Sequence, residues 1–271
     1  MLKPVVKWAG GKRLIYKHIY DVLPEEFNNY HEPFVGGGAV LFNLHNDVLL
    51  TKEVYINDKN EELINLYLTI RDNLEELREK FLNVKVDLET FLKIRNMDRD
   101  PNYKKIDNIT KAFRFLYLNK TCFNGLCRYS SNGYFNTPYG KYENVNFLDI
   151  TYIYGIRDFL KKVTITNTDF IETLKNVKEK DLVYLDPPYY PLVKTSFINY
   201  NSDKFLEEQQ RKVREYFDEV LKRKAFPILS NSNTDFIKDL YKDRKCIEII
   251  ANRFINSNPE KRNGCKELII V

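Results

Sequence analysis

Short apolar segments alternate with helical segments along most of this chain, and this alternation is the feature that most constrains its fold. From residue 29, a short strand, a glycine turn and a helix starting near Ala39 follow one another. Segments of strand length recur at 54–57, 163–167, 182–185, 227–230, 246–250 and 267–271, and a helix is predicted near 203–224. Repeated β-α units favour an α/β fold with an open, mainly parallel sheet and helices on both faces. Such sheets bind ligands at the carboxyl ends of their strands.

A long insertion, 59–150, interrupts this alternation. Apolar residues at three- and four-residue spacing predict a helix over 63–81. Later the insertion becomes rich in turns, and the Ser-Ser-Asn-Gly sequence at 130–133 predicts a hairpin tip between aromatic arms. We therefore predict one domain formed by 1–58 and 151–271, and a second, inserted domain between these two parts.

The composition excludes several classes of protein. Of 271 residues, 43% are apolar and only ten each are Gly and Pro, which excludes disordered and collagen-like chains. No apolar run approaches the ~18 residues of a membrane span, and the start of the chain lacks the apolar stretch of a signal peptide. We therefore expect a cytoplasmic protein with no membrane partner. Four cysteines without a C-x-x-C pair and three scattered histidines predict reduced thiols and no metal site.

Positive charge is concentrated in one aromatic-rich stretch, 108–142. It holds no acidic residue and five basic ones, a number equal to the net charge of +5 of the whole chain. Cations that alternate with aromatic rings are typical of surfaces that meet phosphates and stack on bases. A basic face packed on the rest of the protein is an equally good interpretation, because such patches also serve solubility. Three aromatic residues follow helical spacing and are expected in the core of the insertion, namely Phe113, Phe115 and Tyr117.

Two glycine turns lie near the beginning of the chain, at 7–12 and 36–38. The first lacks the initial Gly and the Ser/Thr of a Walker A loop, and the second lacks the G-x-G-x-x-G spacing of a dinucleotide site. A glycine turn after a strand still lets a ligand approach the backbone, and the N–H groups of the following helix favour an anion. Asp58, which ends the next predicted strand, suits a ribose diol. A tight turn beside a solvated acid is the alternative.

The segment with the most specific chemistry is Asp186-Pro187-Pro188-Tyr189, directly after the apolar strand 182–185. Its two prolines end the strand in a stiff loop, because proline fixes its own φ and restricts the preceding residue. The loop presents the Asp186 carboxylate, the Pro187 carbonyl and the Tyr189 ring. Two acceptors beside an aromatic face match an exocyclic amino group on a planar base, and accepting both hydrogens turns the nitrogen lone pair towards an electrophile. The alternative is an Asp-Pro-Pro turn with a core tyrosine.

Five motifs in a fixed order resemble the Dam-type DNA adenine-N6 methyltransferases. They are KWAGGK at 7–12, EPFVGGG at 32–38, Asp58, DPPY at 186–189 and LSNS at 229–232. The resemblance covers essentially the whole chain, and the motif order is similar to the alpha arrangement of these enzymes. It implies a Rossmann-like S-adenosylmethionine-dependent methyltransferase sheet with an inserted, mostly helical DNA-recognition domain that carries a β-hairpin. The insertion at 59–150 would be this target-recognition domain.

The resemblance implies roles for residues at the cofactor and at the target base. S-adenosylmethionine would lie near Trp8, Lys12, Phe34, Gly36, Gly38, Asp58, Asp169, Phe170 and Asp186. Asp186, Pro187 and Tyr189 would hold an adenine that is flipped out of the duplex at some cost in stacking energy. Methyl transfer would be in line from sulfonium to nitrogen at about 3 to 3.5 Å and would leave S-adenosylhomocysteine. It requires no metal and no covalent intermediate.

The resemblance also implies a DNA-binding surface. Its residues are Lys7, Phe123, Asn124, Leu126, Arg128, Pro138 and Tyr142. In relatives that methylate GATC, the residue that matches Arg128 reads a guanine, a contact worth about 1 to 3 kcal/mol of discrimination. Many relatives carry Tyr where this chain has Phe123, a difference expected to leave stacking intact. A basic pair at 261–262 is expected either to contact phosphates or to belong to a solvated loop.

The sequence therefore predicts a site-specific adenine-N6 methyltransferase that acts on double-stranded DNA, with GATC as its target. Transfer to another amino nitrogen, in RNA adenine, cytosine N4 or a glutamine amide, is the alternative among enzymes. A DNA-binding relative that has lost catalysis is the alternative outside enzymes, and the glycine spacing disfavours a nicotinamide oxidoreductase. A companion restriction endonuclease is a candidate partner. His18, His31 and His45 receive no role and are expected to be structural.

Overall fold

Seven strands form one sheet within the described residues, which confirms the predicted α/β fold. The structure, a computed structural model, describes residues 1–8, 10–12, 15–191, 205–251 and 265–271. The strands are β1 (Tyr30–Glu32), β2 (Val54–Asn57), β3 (Val163–Thr166), β4 (Leu182–Leu185), β5 (Phe226–Ser232), β6 (Cys246–Ala251) and β7 (Cys265–Ile270). The helices are α1 (Tyr16–Tyr20), α2 (Ala39–Asn46), α3 (Glu61–Asp72), α4 (Leu74–Glu79), α5 (Leu88–Arg95), α6 (Asn108–Thr121), α7 (Ile153–Leu160), α8 (Phe170–Thr173), α9 (Glu207–Lys222) and α10 (Asp235–Leu240).

The order of the strands creates a crevice near the middle of the sheet. From one edge to the other the order is β3, β2, β1, β4, β5, β7, β6. Strands β1 to β5 run parallel, and β7 is antiparallel to both β5 and β6. The order therefore reverses between β1 and β4, and ligands bind at such a reversal, outside the carboxyl ends of the strands. The glycine turn at 36–38 follows β1 and Asp186 follows β4, so both lie at this crevice.

Strand β4 is an apolar segment that is buried in the middle of the sheet. All four of its residues are buried, as expected for a parallel strand that is covered on both faces. Leu182 and Tyr184 pack in a cluster with helices α1, α2, α3 and α7. Val183 and Leu185 pack in a second cluster with α9 and α10. Because successive side chains of a strand point to opposite faces, these clusters cover the two sides of the sheet and hold the end of β4 still.

The inserted segment shares part of its core with the sheet. Tyr67 of α3 and Phe115 of α6 belong to the same buried cluster as β1 and β4. A further cluster holds α5 and α6 against the predicted hairpin and includes Tyr117 and Phe135. Phe115 and Tyr117 are buried and Phe113 packs against both clusters, which confirms their predicted place in the core. The domain division at residues 59 and 150 stays a prediction.

Two predicted helices differ in detail from the observed ones. The helix predicted over 63–81 is interrupted at Asn73, which ends α3 and precedes α4. Asparagine favours helix ends because its side chain competes for the backbone. The helix predicted near 203–224 is α9, and its first two predicted residues lie outside the described residues.

The hairpin tip at 130–133 is confirmed. The Ser130 N–H donates to the Tyr134 carbonyl at 2.8 Å, and the Gly133 N–H donates to the Ser130 carbonyl at 2.9 Å. Tyr129 and Phe135 form an antiparallel bridge at its base.

Among the described residues, no helix combines the length and the apolar character that crossing a membrane requires.

Candidate active site

The turn between β1 and α2 has a backbone that favours glycine at two positions. Gly36 and Gly38 have φ angles of 48° and 72°, in the left-handed region. A Cβ on Gly36 would lie 2.7 Å from Nε1 of Trp8, so the indole packs directly on the turn. The hydroxyl of Tyr67, on α3, donates to the Gly36 carbonyl at 2.9 Å. The turn is therefore a fixed backbone surface that a ligand can approach closely.

Asp58 joins this turn to the end of β2. Its carboxylate accepts the backbone N–H of Gly36 at 3.0 Å and that of Asn60 at 2.9 Å. Burial raises the pKa of Asp58, and the backbone donors oppose that rise. Each carboxylate oxygen has further acceptor capacity, so Asp58 can still accept from a ribose diol. The predicted cofactor residues Trp8, Gly36, Gly38 and Asp58 are thus gathered in one place.

The other predicted cofactor residues include a pair of aromatic rings. The ring centroids of Phe34 and Phe170 lie 5.0 Å apart. Phe205 packs edge-on against Phe34 at 6.1 Å and could not be predicted from the sequence, because no motif marks it. Asp169 is exposed and caps α8 by accepting the Ile171 N–H at 3.1 Å. The group offers apolar surface to a planar ring, with a carboxylate at its edge.

The corner after β4 carries the predicted catalytic residues. Pro187 is buried, and among the described residues no hydrogen bond ends on its carbonyl oxygen. The Lys12 Nζ lies 2.8 Å from Oδ1 of Asp186. The same ammonium lies 4.5 Å from the centroid of the Tyr189 ring and donates to the Gly10 carbonyl at 2.7 Å. An N–H donor therefore lies between the carboxylate and the ring, the place expected for an amino group.

Burial and two neighbouring charges determine the electrostatics of this corner. Burial raises the pKa of Asp186 to about 6, while Lys12 lowers it and Glu267 raises it. Glu267, on β7, accepts the Tyr189 hydroxyl at 2.9 Å and is 6% exposed. Burial, together with Asp186 and Glu267, raises the pKa of Tyr189 well above its usual value, so its hydroxyl stays a neutral donor. Glu267 could not be predicted as part of the site, because 78 positions separate it from Tyr189.

Two buried amide side chains, Gln210 and Asn231, support the corner. Nε2 of Gln210 donates to the Pro188 carbonyl at 2.9 Å, and Nδ2 of Asn231 donates to Oε1 of Gln210 at 2.9 Å. Oδ1 of Asn231 accepts the Tyr190 N–H at 3.3 Å. These contacts explain the Asn of the LSNS motif. Gln210 carries no sequence signal of its own, because its position on α9 indicates only a buried face.

A buried acid, Glu32, lies at the end of β1. It is 3% exposed and accepts the Tyr30 hydroxyl at 2.8 Å. Burial raises the pKa of Glu32 well above its usual value, the Tyr30 hydroxyl and the Leu41 N–H lower it, and Asp186 and Asp58 add to the rise. The start of α2, where the sequence predicts an anion, thus already faces a carboxyl group of the chain itself.

The predicted DNA residues form a connected group beside the glycine turn. The Lys7 ammonium lies 4.0 Å from the centroid of the Tyr142 ring, and the Tyr142 hydroxyl accepts the Asn124 N–H at 3.2 Å. The Phe123 N–H donates to the Pro138 carbonyl at 2.9 Å, and Phe123 is 49% exposed. Lys7 directly precedes the tryptophan that packs on the glycine turn, so the two groups are neighbours.

Leu126 and Arg128 lie on the adjoining arm of the hairpin. Nε of Arg128 donates to Oδ1 of Asn136 at 2.7 Å, and Nη2 donates to the Asn136 carbonyl at 3.2 Å. The Leu126 carbonyl accepts the Thr137 hydroxyl from the opposite arm. Asn136 thus orients the guanidinium, a role that the sequence could not predict because it depends on hairpin register.

The basic stretch 108–142 offers fewer free cations than its sequence suggests. Arg114 is 1% exposed and is paired with Asp98 and Glu62, so it cannot meet phosphates. Burial lowers the pKa of Lys120 to about 8. The count of five cations therefore overstates the electrostatic case for nucleic acid. The basic pair predicted at 261–262 lies outside the described residues.

Two of the three histidines have structural contacts, as predicted. Nε2 of His31 lies 2.8 Å from Oδ2 of Asp181, and its ring stacks on Tyr55 with centroids 4.7 Å apart. The His45 ring packs on Phe159 at 4.2 Å. Across the part of the chain that the structure describes, no three His, Cys or acidic side chains group as metal ligands.

Comparison with known proteins identifies a family of similar sequences. The family model of the D12 class N6 adenine-specific DNA methyltransferases matches residues 8–255. The Type II methyltransferase M1.LlaDCHI of Lactococcus lactis subsp. cremoris is 37% identical over 99% of this chain and 95% of its own. The Type II methyltransferase M.MjaIII of Methanocaldococcus jannaschii is 38% identical over 100% of this chain and 99% of its own. A DNA adenine methylase of Haemophilus influenzae is 31% identical over 99% and 93%, respectively.

Proposed function

Because the chain belongs to the D12 class N6 adenine-specific DNA methyltransferases, we propose that it moves the methyl group of S-adenosylmethionine to N6 of a flipped-out adenine in duplex DNA. The chain is an enzyme, an adenine-specific DNA methyltransferase, and DNA is its substrate. The contacts of Lys12 support the proposal that an amino group of a base is the methyl acceptor. The Lys12 ammonium lies on the Asp186 carboxylate beside the Tyr189 ring, where the amino group of a base would make the same contacts.

The corner after β4 would act on that amino group. Asp186 and the Pro187 carbonyl would each accept one N6 hydrogen, and Tyr189 would stack on the purine. Lys12 must leave Asp186 first, because the two nitrogens compete for the same position. With both hydrogens held, the N6 lone pair points at the methyl group, and the fixed geometry lowers the entropic part of the barrier. The N–C bond would form as the S–CH3 bond breaks, and one of the two N6 protons would then be released.

S-adenosylmethionine supplies a methyl group activated on a sulfonium, and S-adenosylhomocysteine is the product. The glycine turn under Trp8 fits a ligand that approaches the backbone closely. Asp58 would accept from the ribose hydroxyls. Phe34 and Phe170 would hold the adenine ring between apolar surfaces, with Asp169 at its polar edge. The proposed transfer needs no metal.

The inserted domain, 59–150, would recognise the DNA together with the N-terminal segment. The surface would consist of Lys7, Phe123, Asn124, Leu126, Arg128, Pro138 and Tyr142. Phe123, 49% exposed, would wedge the duplex and offset part of the cost of extruding the adenine. Arg128, oriented by Asn136, would read a guanine by a contact worth about 1 to 3 kcal/mol. We propose GATC as the target.

Transfer from labelled S-adenosylmethionine to duplexes that differ at one base tests the proposal. A GATC duplex should be labelled at adenine N6, and a scrambled duplex should not. Asp186→Ala should abolish transfer and leave cofactor affinity largely intact, because Asp186 is assigned to the amino group. Equal labelling of GATC and scrambled duplexes would refute the GATC target. No labelling of any adenine-containing DNA would refute the transfer itself.

Two rival functions give different results in the same assay. Transfer to RNA adenine or cytosine N4 would place the label in another nucleoside, and a relative without catalysis would bind DNA with no turnover. Two relatives are named Type II methyltransferases, and on that ground we propose a companion restriction endonuclease as a partner. Resistance of DNA from an expressing host to a GATC-cleaving endonuclease would show that the enzyme protects this sequence, which such a partnership requires.

A further inference from the structure

A cluster of three charged side chains, in which a buried arginine meets two partly buried carboxylates, lies in the inserted segment, away from the predicted catalytic residues. At its centre is Arg114 of α6, which is 1% exposed. Its Nη2 lies 2.6 Å from Oδ2 of Asp98, and its Nη1 lies 3.2 Å from Oε1 of Glu62. Its Nε and Nη2 also donate to the carbonyls of Ile94 and Arg95 at 3.2 and 3.0 Å. We call Arg114, Asp98 and Glu62 the hairpin anchor.

The base of the hairpin is bonded directly to this anchor. The Phe135 N–H donates to Oδ2 of Asp98 at 2.7 Å, and the Tyr129 hydroxyl donates to Oε2 of Glu62. Tyr129 and Phe135 bridge the two arms and stand next to Arg128 and Asn136, which bond to each other. The anchor therefore holds the two residues that flank the proposed guanine-reading arginine.

Helix α3 connects the anchor to the cofactor turn. Glu62 lies in its first turn and binds the hairpin, while Tyr67 of the same helix donates to the Gly36 carbonyl at 2.9 Å. The two residues are five positions apart on the helix, a rise of about 7.5 Å. A single rigid element thus fixes the hairpin at one point and the glycine turn at another.

We propose that the hairpin anchor is a set of positioning residues that fixes the recognition hairpin relative to the cofactor turn and so determines how well the enzyme discriminates target sequence. The inference rests on the proposed function, because discrimination is defined only for a sequence-specific methyltransferase. None of the three residues needs to touch DNA for this role.

The chemistry of the anchor suits positioning better than stabilisation. Replacing a buried ion network with apolar side chains of similar size is often neutral for stability, whereas such a network can fix register. The planar guanidinium of Arg114 meets several acceptors at set angles, which a flexible ammonium does not do. Burial, together with the Glu62 carboxylate, raises the pKa of Tyr129 well above its usual value, so the hydroxyl remains a donor.

Two variants test the anchor, one by a large change at its centre and one by the loss of a single hydrogen bond to the hairpin. Arg114→Met removes its centre, and Tyr129→Phe removes one hydroxyl while the ring stays against Phe135 at 5.7 Å. The measured quantity is kcat/KM for the target duplex divided by kcat/KM for a duplex with the guanine pair changed. We expect this ratio to fall about tenfold in Arg114→Met, as for one misplaced bidentate contact, and about threefold in Tyr129→Phe. The Kd for S-adenosylmethionine should not change.

Tyr134→Phe is the matched control, because it removes a hydroxyl from the same hairpin at a side chain that is 38% exposed and outside the anchor. Its ratio should equal that of the unchanged enzyme. An unchanged ratio in Tyr129→Phe and Arg114→Met would overturn the proposal, and so would an equal fall in rate on both duplexes. If Arg114→Met does not fold, Tyr129→Phe alone decides.

If the proposed function is wrong, the unchanged enzyme itself gives a result that differs from a failure of the anchor. In that case the unchanged enzyme transfers no methyl group to any duplex. The ratio of duplex Kd values, measured with S-adenosylhomocysteine present, then tests the anchor in the same variants. A Kd ratio that stays the same in both would overturn the inference, and a fall of about threefold or more in Tyr129→Phe would support it.

Discussion

At the scale of single residues, Lys12 makes the contacts that an incoming amino group would need. Its ammonium meets the Asp186 carboxylate at 2.8 Å and the Tyr189 ring at 4.5 Å, and the side chain is 5% exposed. Binding of a base at this corner is then an exchange of one N–H donor for another. Lys12 also opposes the effect of burial on Asp186 and so favours the carboxylate form that accepts hydrogen bonds.

This exchange predicts the pH dependence of activity. Asp186 accepts its N6 hydrogen more strongly when it is ionised, so kcat/KM should fall as the pH drops through about 6, the pKa of this carboxyl. Lys12→Met removes the charge that lowers this pKa, so the acid limb should move up by about one pH unit. Steady-state kinetics from about pH 5 to about pH 8 would measure both curves. An acid limb that stays in place would show that Lys12 does not act on Asp186.

The raised pKa of Asp186 also makes the free energy of unfolding depend on pH, in the direction opposite to that of activity. Between 3.8, the ordinary value, and about 6, the folded protein keeps a proton on Asp186 that the unfolded chain has released. The free energy of unfolding should therefore decrease as the pH rises through this window. Activity gains from ionisation of Asp186, whereas the fold does not.

Gly125, in the turn that precedes the hairpin, gives a further prediction. Gly125 has a φ of 67°, and a Cβ there would lie 2.5 Å from Cβ of Lys7. Gly125→Ala should displace Lys7 and weaken duplex binding about tenfold, or about 1.4 kcal/mol, in a titration of labelled DNA. Gly133→Ala is the matched control, because its φ is 77° but nothing lies within 4 Å of the added carbon. Equal duplex affinity in the two variants would contradict a role for Lys7 in DNA binding.

Motif residues could be predicted from the sequence, but their partners could not. Asp58 and Asp186 follow strands, and strand ends meet at one edge of a parallel sheet, so their place at the crevice was predictable. Glu267, Gln210 and Asn136 reach the predicted residues from other parts of the chain by hydrogen bonds. Those contacts depend on packing and register, which no local pattern encodes.

At the scale of elements, α9 and β5 hold the corner after β4 from the side of the second core cluster. Gln210 of α9 and Asn231 of β5 bond to each other and to the backbone of Pro188 and Tyr190. Both side chains are fully buried. Buried hydrogen-bonded amides are costly to leave unpaired, so this pair restricts the corner to one conformation.

Removal of this support should reduce turnover more than substrate binding. Gln210→Leu keeps the volume but leaves Asn231 without its acceptor and Pro188 without its donor. We expect kcat to fall about 10- to 100-fold, because small displacements of reacting groups are expensive, with a smaller change in KM. Glu215→Leu, on an exposed position of the same helix, is the control and should match the unchanged enzyme. A fall in melting temperature with unchanged kcat would leave Gln210 a purely structural role.

Strands were predicted better than helix boundaries. Val54–Asn57 and Leu182–Leu185 match their predicted limits because short apolar runs between turn residues define a buried parallel strand. The break at Asn73 was missed because apolar spacing continues across it from α3 into α4. Periodicity indicates which face of a helix is buried but does not indicate where one helix ends and the next begins.

At the scale of the whole molecule, the insertion and the sheet share a core. Helices α3 and α6 contribute Tyr67 and Phe115 to the same cluster as β1 and β4. A fragment of residues 59–150 alone would expose these side chains to water. We therefore expect the isolated fragment to lack a cooperative thermal transition in circular dichroism, while the full chain shows one. A cooperative transition in the fragment would indicate an independent domain.

The overall arrangement followed from motif order together with the rules of parallel sheets. A strand followed by a glycine turn, a second strand followed by Asp58 and a later strand followed by Asp186 place both ligand groups at one crevice. The path of the insertion was not predictable, because α3 packs on the sheet and also carries Glu62 to the hairpin. That one helix contacts both the sheet and the hairpin depends on three-dimensional packing.

A structure of the enzyme with S-adenosylhomocysteine and a duplex that contains the target would show most directly whether the corner after β4 binds an extruded base. We predict an extruded adenine with N6 about 2.7 to 3.2 Å from both the Asp186 carboxylate and the Pro187 carbonyl, and Lys12 withdrawn from Asp186. An adenine still stacked in the duplex, with the Lys12 ammonium remaining on Asp186 beside Tyr189, would contradict it.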